Sequence, residues 1–319
     1  MTIRYIGTSL LALGIVVGGS IHAKADDYPN EPIRLLVGFG AGGMTDVSSR
    51  IIANQLEENL GVRVTVENVT GAGGLIAIDE AYNADPDGYT FVTFLSDAPF
   101  TSVYQDRPLD LSRWSMIGGY MPQERVLFAR TDAPFDSVEG LVEHAQETPV
   151  TFADGGAFWS ARVMEAFARK NDLNVRLVPF RSGAEGSAAI LGGHVTLAET
   201  GVGTSAWHSA QEDGLKILAT LTPGGLTEFG YDDVPTFDEL GADFVVEIHY
   251  GFGIRSDVPE ARIEKLSEAV RAAVENPGVQ ERLREIDLTP EWMPGEQYDE
   301  LMQEVLDGAG LLKEYLEDD

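Results

Sequence analysis

The 319-residue chain contains no cysteine, and this absence excludes several kinds of chemistry at once. Without a thiol there is no disulfide, no thiolate nucleophile, and no zinc or iron–sulfur centre with cysteine ligands. A metal site with histidine ligands is not expected either, because His144, His194 and His208 show no paired metal-ligand spacing. We therefore expect no metal. An oxidising compartment stays open, because disulfides are optional there.

Basic residues are also scarce: 22 Lys and Arg stand against 52 Asp and Glu, a formal charge of −30. Such a charge repels nucleic acid and anionic membrane surfaces at long range, so we expect no nucleic-acid partner. Long apolar runs are missing after residue 25, so the remainder is not expected to span a membrane by itself. With 44% hydrophobic and 23% charged residues, the composition predicts a folded chain large enough for two domains.

Residues 1–25 differ in kind from the rest. Arg4 precedes a run of apolar and small residues from Leu10 to Ile21, and Ala23-Lys24-Ala25 closes the segment before Asp26. This order is typical of a secretory signal peptide, whereas the alternative, a membrane anchor, needs a longer apolar stretch. We therefore expect cleavage after residue 25 and export of a strongly acidic chain.

Strands and helices alternate through the first third of the chain. The predicted strands cover Ile33 to Val37, Val62 to Val66 and Thr90 to Leu95. A helix with apolar residues from Val47 to Leu60 ends at Gly61, and a second helix precedes the third strand. Strands separated by helices in this way predict a parallel sheet built from right-handed crossovers.

The alternation restarts near residue 126. Ser137 is the predicted N-cap of the first helix there, and after Val258 only helices are predicted. The whole pattern predicts an α/β fold of two units, each with a parallel-rich sheet of its own. The predicted strands of the second unit cover residues 126–129, 150–153, 175–179, 196–198 and 216–221.

The loop after the first strand, Gly38 to Gly43, satisfies the dinucleotide pattern G-x-G-x-x-G, and Glu67 stands where a ribose-binding acid is expected. Three observations oppose a nicotinamide cofactor. Asp46 would repel a pyrophosphate from the same amides, an exported protein is not normally supplied with the cofactor, and a second glycine loop, Gly71 to Gly74, is not required by a dinucleotide fold. We therefore expect no cofactor.

Glycine loops at helix N-termini offer unpaired N–H groups, which favour a compact anion such as a carboxylate. The alternative is that the glycines only permit tight turns. Ligands of open parallel sheets bind beyond the carboxyl ends of the strands, and the second unit has loops of the same kind at Gly155-Gly156 and Arg181-Ser182-Gly183. The candidate ligand-binding residues of the first unit are Phe39, Gly42, Gly43, Met44, Thr45, Ala72, Gly73 and Ser96.

An ordered set of short motifs runs from residue 28 to about residue 306. The set resembles the tripartite tricarboxylate transporter receptors, the Bug or TctC group of periplasmic binding proteins. That resemblance implies a type II Venus-flytrap fold, a periplasmic location, capture of a small organic carboxylate in the cleft, and delivery to the permease subunits of the transporter. The motifs are Tyr28 to Val37, Gly42 to Asp46, Val66 to Asn68, Gly71 to Gly74, Asp85 to Thr90, Val178 to Phe180, Leu191 to Gly193, Asp233 to Thr236 and Tyr250 to Gly253.

Under this resemblance, residues 26–125 and 245–319 form lobe 1, and residues 126–244 form lobe 2. The chain would cross between the lobes near residues 120–130 and 244–254, and a monomer is expected. The family's first-lobe carboxylate contacts carry over to the loops at Gly42–Thr45 and Ala72-Gly73. The candidate residues of the second lobe and of the return crossing are Gly155, Gly156, Phe158, Trp159, Ser160, Arg181, Ser182, Gly183, Thr200 and His249.

Two departures from the family pattern bear on the ligand. Phe158 and Trp159 replace small residues, and they either stack on an aromatic or long aliphatic acid or pack into the following helix. Thr200 stands where amino-acid receptors of the group have an aspartate, which favours a plain carboxylate unless the neighbouring Glu199 substitutes for it. Arg181 either pairs with a distal carboxylate or with a surface glutamate. Citrate-like, dicarboxylic and aromatic acids all remain candidates.

Enzymatic motifs are missing. The chain has no G-x-S-x-G elbow, no H-E-x-x-H helix and no lysine-centred motif. We therefore expect a binding protein, and the alternative from another class is an exported α/β enzyme that acts on a carboxylate.

Overall fold

The computed structural model describes residues 28–154, 158–180, 183–222, 225–242 and 247–318. None of the helices in these ranges combines the length and apolar character needed to cross a bilayer. The strands are β1 (Ile33–Val37), β2 (Val64–Asn68), β3 (Thr90–Thr93), β4 (Trp114–Pro122), β5 (Arg125–Arg130), β6 (Val150–Asp154), β7 (Val175–Pro179), β8 (Leu197–Gly201), β9 (Leu215–Thr220), β10 (His249–Arg255) and β11 (Met293–Pro294). The helices are α1 (Met44–Leu60), α2 (Leu75–Asn83), α3 (Ala98–Tyr104), α4 (Val138–Glu147), α5 (Phe158–Lys170), α6 (Gly183–Leu191), α7 (Ser205–Gln211), α8 (Glu260–Val274), α9 (Pro277–Arg284) and α10 (Gly295–Glu317).

The strands form two sheets, in the orders β11-β4-β10-β3-β1-β2 and β7-β6-β8-β5-β9. The chain leaves the first sheet after Pro122, enters the second at Arg125, and is back in the first at His249. The predicted α/β fold of two units is therefore confirmed. The assignment of residues 26–125, 126–244 and 245–319 to lobes stays a prediction.

Both sheets are mixed, which corrects the expectation that they are mostly parallel. Parallel pairing joins β2, β1 and β3 in one sheet and β7, β6 and β8 in the other. The remaining strands pair antiparallel: β4 and β10 lie side by side, and β5 lies between β8 and β9. Helix–strand alternation predicted the parallel strands and also β5 and β9, but it carries no information on which neighbours pair antiparallel.

Strands β4, β10 and β11 were not predicted, and β11 contradicts the expectation that no strand follows Val258. Glycines inside β4 and β10 weaken the strand pattern in the sequence. One glycine in each strand is required, because an aromatic ring packs directly on the backbone there. A β-carbon on Gly118 would lie 2.3 Å from the Trp292 ring, and one on Gly251 would lie 2.3 Å from the Tyr298 ring. Strand β11 has only two residues, too few for any periodic pattern.

Helix ends follow the signals in the sequence. Gly61 closes α1 in the left-handed conformation, with φ of 71°, and its N–H donates to the Glu57 carbonyl. Ser137 caps α4, since its Oγ accepts a hydrogen bond from the Gly140 N–H at 3.2 Å. Both predicted helix boundaries are confirmed.

Helix α10 packs on elements of both sheets. One apolar cluster combines Phe100 of α3, Phe167 of α5, and Val305 and Leu312 of α10. Arg169 at the end of α5 donates from Nη1 to main-chain carbonyls in the last turn of α10, at 2.9 and 3.1 Å. The final helix therefore links the helical layer of the second sheet to that of the first.

Candidate ligand-binding site

The two glycine loops of the first sheet touch each other. They follow the neighbouring parallel strands β1 and β2, so they emerge at the same edge of the sheet. A β-carbon on Gly38 would lie only 2.6 Å from the Gly74 Cα, and the Gly38 N–H donates to Thr93 Oγ1 of β3 at 3.1 Å. The absence of a side chain at Gly38 thus lets both loops and the end of β3 meet.

The loop after β1 ends at the N-terminus of α1, where the N–H groups of Met44 and Thr45 have no acceptor within the described part of the chain. The Gly43 N–H donates to the Gly40 carbonyl at 3.2 Å, and the Gly42 N–H donates to Asp46 Oδ2 at 2.8 Å. Gly42 and Gly43 are exposed and Met44 is half-buried. The helix therefore presents unpaired donors beside an exposed loop, at the half-buried Met44 and the buried Thr45, whereas the amides of Gly42 and Gly43 are already used.

The loop after β2 has an unusual backbone. Ala72 and Gly73 both have positive φ, 49° and 61°, within a short 3₁₀ turn that extends to Gly74. The left-handed conformation is unfavourable for alanine, and strain of this kind concentrates at functional sites. Gly73 also lies against α3, because a β-carbon there would be 2.9 Å from Thr101 Cγ2. The turn is thus held between α3 and the loop after β1.

Asp46 in the first turn of α1 organises the first loop. Its side chain is buried and accepts hydrogen bonds from the Gly42 N–H at 2.8 Å, Arg50 Nε at 2.9 Å and Asn68 Nδ2 at 2.8 Å. Desolvation opposes ionisation, but the donors Arg50, Gly42 and Asn68 outweigh it and hold the pKa of the Asp46 carboxyl below its usual value. Asp46 therefore fixes the glycine loop as an anion.

Replacing Asp46 by alanine is expected to lower the free energy of unfolding by about 1.5–3 kcal/mol, because hydrogen bonds to a charged group are lost. The lowered pKa stabilises the fold fully above the unfolded pKa of about 3.9, and this contribution is lost as the pH falls through the lower folded pKa, so the deficit should shrink below about pH 4. Urea denaturation at neutral and acidic pH measures both effects. The exposed Asp238 serves as control, and a deficit of Asp46→Ala no larger than that of Asp238→Ala would contradict this role.

Two side chains from the crossing segments, the half-buried Gln123 and the buried Tyr250, reach the first loop. Gln123 Nε2 donates to Tyr250 Oη at 2.6 Å, and Tyr250 Oη lies 3.5 Å from Met44 Sδ and hydrogen-bonds the Thr45 side chain. Burial raises the pKa of the Tyr250 hydroxyl, which therefore stays neutral. Gln123 was not predicted as a site residue, and Tyr250 was named only within a family motif.

A buried ion pair lies on the second sheet near these residues. Arg125, the first residue of β5, binds Glu199 of β8 with two parallel hydrogen bonds, one of them 2.7 Å from Nη2 to Oε2. The side chains are 11% and 1% exposed, and the Trp159 ring centroid lies 5.9 Å from Arg125 Cζ. Arg125 was not predicted as a site residue. Both Glu199 oxygens accept hydrogen bonds from Arg125, so an ammonium group that used Glu199 in place of the aspartate of the amino-acid receptors would have to share them.

The candidate residues of the second unit are in part buried and in part outside the described residues. Trp159 packs in the core with Val163 and Phe167 of the same helix. Of the two alternatives, stacking on a ligand or packing against the helix, the structure therefore shows packing. The side chains of Ser160 and Thr200 are also buried, and Gly183 is the first residue of α6. Gly155, Gly156, Arg181, Ser182 and the Phe158 side chain lie outside the described residues, and their roles stay predictions.

Ser96 and His249 join the end of β3 to the return crossing. Ser96 Oγ accepts from the His249 N–H at 2.8 Å and donates to the Glu247 carbonyl at 3.0 Å. His249 is buried, and its Nε2 lies 2.6 Å from Glu247 Oε1. Phe39 lies between the glycine loops, because a β-carbon on Gly74 would be 3.4 Å from its ring. Among the described residues no cluster of His, Asp and Glu is suited to a metal ion.

The sequence profile of the family described as "Tripartite tricarboxylate transporter family receptor" (TctC) matches residues 48–316. The chain belongs to this family. A Cupriavidus necator relative of this TctC receptor, named "UPF0065 protein in gbd 5′ region", is 30% identical over 310 residues, which cover 94% of this chain and 92% of the relative. The resemblance found in the motifs is confirmed.

Solved structures of TctC proteins have the same fold. The periplasmic binding protein BugD is 25% identical, with a TM-score of 0.74 over 90% of this chain and 98% of BugD. MatC from Rhodopseudomonas palustris, solved with bound malate, is 23% identical, with a TM-score of 0.74 over 91% of this chain and all of MatC. Because the family is described as one of transporter receptors, this chain is a binding protein, as expected.

Proposed function

We propose that the protein is a periplasmic receptor that captures a small organic carboxylate in the cleft between two lobes and delivers it to the permease of a tripartite tricarboxylate-type transporter. The observation that carries the proposal is the pair of touching loops, with unpaired amides at Met44 and Thr45 on one side and the strained turn at Ala72-Gly73 on the other. The malate held by MatC supports an organic acid as ligand.

The loops suit a carboxylate for two physical reasons. The N-terminus of a long helix carries partial positive charge, and its unpaired N–H groups replace the water that a carboxylate loses when it is enclosed. Charge-assisted hydrogen bonds of this kind are about twice as strong as neutral ones. A carboxylate that uses the amides of both loops would be held from two sides, whereas a neutral acceptor gains less from the helix dipole.

The crossing segments contact the proposed site, so closure of the two lobes would affect these contacts. Gln123 and Tyr250 belong to the two segments that pass between the sheets, and they contact Met44 and Thr45. In our proposal the second lobe rotates about these segments onto the bound acid, and contacts that the open state lacks favour the closed state. The permease then recognises the closed receptor.

Export rests on the sequence. Residues 1–25, with Arg4, the apolar run and Ala23-Lys24-Ala25, are outside the described residues and have the order of a signal peptide. A protein that works in the periplasm must be exported, and a segment of this kind directs export. We therefore include cleavage near Ala25 and a periplasmic location in the proposal.

A thermal-unfolding panel tests the function. An acid present at 100 times its dissociation constant should stabilise the protein by about 2.7 kcal/mol, because it binds the folded state alone. The panel contains di- and tricarboxylates, aromatic acids, amino acids and NAD(H), and mass spectrometry of the purified protein identifies any acid retained from the cell. Stabilisation by NAD(H) alone, or turnover of a stabilising acid, would contradict the receptor.

A further inference from the structure

The side chain of Gln123 lies where the two crossing segments meet the first glycine loop. Gln123 stands between β4 and β5, and its main-chain N–H donates to the Ile248 carbonyl of the return crossing at 2.7 Å. Its Nε2 donates to Tyr250 Oη at 2.6 Å and lies 3.8 Å from Met44 Sδ at the start of α1. One side chain therefore joins both crossing segments to the loop.

Gly201 of β8 makes room for the Gln123 amide on the second sheet. A β-carbon on Gly201 would lie 3.1 Å from Gln123 Nε2, which is closer than most side-chain contacts, and 3.6 Å or more from its other neighbours. The Gly201 backbone is not left-handed, so its conformation does not require glycine. The missing side chain thus lets the amide pack against β8 while it binds Tyr250.

The main chain around Gln123 is hydrogen-bonded to the second sheet as well. The Arg125 N–H donates to Thr222 Oγ1 at 2.8 Å, and the Thr222 hydroxyl donates to the Gln123 carbonyl at 3.5 Å. The Val202 N–H, directly after β8, donates to the Glu124 carbonyl at 3.0 Å. A movement of the second sheet relative to the first would therefore move the Gln123 backbone and its side-chain amide.

The other end of this set of contacts is the N-terminus of α1. Tyr250 Oη lies 3.5 Å from Met44 Sδ, and the hydroxyl of Tyr120 in β4 lies 3.0 Å from Ser48 Oγ of α1. Both tyrosines are buried, and their ring centroids are 6.0 Å apart. The Met44 amide is one of the donors proposed for the carboxylate, so the position of this donor depends on the side chains that contact Met44.

We propose that Gln123 is a positioning residue that couples carboxylate binding at the first glycine loop to the arrangement of the two sheets. The inference rests on the proposed function. When the second sheet moves, Gly201 and the Gln123 backbone move the amide, and the amide sets the positions of Tyr250 and Met44. Because coupling between two sites is reciprocal, an acid bound to the Met44 amide favours the arrangement in which Gln123 binds Tyr250.

A purely structural hydrogen bond would behave differently. Its loss would lower the stability of the protein without changing the affinity for an acid, because the folded molecules would keep the same loop. The loss of a coupling residue changes the affinity, typically by about 5- to 150-fold. Since closure retains an acid that has already bound, the change should be mainly in the dissociation rate.

Gln123→Met tests the coupling, because methionine has a similar length and volume but no N–H group. The probes are malate, adipate and citrate, or the acid that the thermal panel finds. Calorimetry should show an affinity about fivefold weaker or more for each probe that wild type binds, and stopped-flow fluorescence should show faster dissociation. Gln146→Met is the control: Gln146 is exposed and donates to the Asn171 carbonyl at 3.1 Å, and its loss should leave the affinity unchanged.

Gly201→Ala is a second variant, which leaves Gln123 itself unchanged. The new β-carbon should displace the Gln123 amide from Tyr250 and weaken binding of the same probes by about fivefold or more. In the Gln123→Met background it should have little further effect, because the hydrogen bond is already absent. Gly201→Ala also serves if Gln123→Met does not fold.

A distance measurement tests the coupling without any acid. The chain has no cysteine, so Asn54→Cys on α1 and Glu143→Cys on α4 place one spin label at an exposed position of each unit. Double electron–electron resonance should give a broader distribution of distances between the labels in Gln123→Met than in wild type. In Gln146→Met the distribution should match that of wild type.

Three outcomes overturn the coupling while the receptor function stands. They are affinities of Gln123→Met and Gly201→Ala within about twofold of wild type, losses of affinity that add in the double variant, and an unchanged distance distribution in Gln123→Met. If wild type bound none of the probes and no other acid stabilised it, the receptor function would be overturned. The distance distribution would then still decide whether Gln123 sets the arrangement of the two sheets.

Discussion

Replacing Glu199 by alanine is expected to lower the free energy of unfolding by about 3–5 kcal/mol, because the substitution leaves the Arg125 guanidinium buried and unpaired. The side chains are 11% and 1% exposed, so water cannot replace the two hydrogen bonds that Glu199 supplies. Chemical denaturation followed by circular dichroism measures the loss. The effect should be large for a single substitution, because few ion pairs among the described residues are buried on both sides.

Two controls separate burial from charge. Asp132 forms a comparable pair with Arg130 at the surface, where its side chain is 66% exposed, so Asp132→Ala should change stability little. The double substitution Arg125→Met with Glu199→Leu removes both charges, and it should recover most of the stability lost in Glu199→Ala. A loss in Glu199→Ala no greater than that in Asp132→Ala would show that the pair is not desolvated.

Replacing Gly38 by alanine is expected to separate the two glycine loops. The new β-carbon would lie 2.6 Å from the Gly74 Cα and 3.2 Å from the Gly74 carbonyl oxygen, and main-chain atoms cannot rotate away as a side chain can. Such overpacking destabilises proteins by about 1–3 kcal/mol. Loss of even one hydrogen bond to the carboxylate weakens binding by about tenfold or more, so the affinity for the acid should fall by at least that factor.

Gly40 offers a matched control within the same loop. A β-carbon there meets no atom within 4 Å, and the Gly40 backbone is not left-handed. Gly40→Ala should therefore change stability by less than about 0.5 kcal/mol and leave the affinity unchanged. If Gly38→Ala and Gly40→Ala bound the acid equally well, contact between the loops would not be required for binding.

Local signals predicted much of the fold. Features that depend on residues close in sequence could be predicted. They are the strands followed by helical crossovers, the end of α1 at Gly61 and the cap of α4 at Ser137. Strands β4 and β10 were missed, because their glycines are required by the rings of Trp292 and Tyr298, which are distant in the chain. Their antiparallel pairing depends on the same distant contacts.

The site residues also divide into those that local sequence predicts and those that depend on distant contacts. The glycine loops were predicted because strand, loop and helix follow each other directly in the chain, and their role as carboxylate contacts stays a prediction. Gln123 and Arg125 were missed, because their partners Tyr250 and Glu199 are distant in the sequence and meet them only where the chain crosses between the sheets. Arg125 in particular has no local signal, since an arginine in so acidic a chain is expected to pair with a carboxylate at the surface.

A crystal structure of the protein with the acid that stabilises it most would test the central claim directly. We predict that one carboxylate of the acid lies between the two glycine loops, with its oxygens about 2.7–3.2 Å from the amide nitrogens of Met44 or Thr45 and of Ala72 or Gly73. An acid bound elsewhere, with no contact to either loop, would contradict the account.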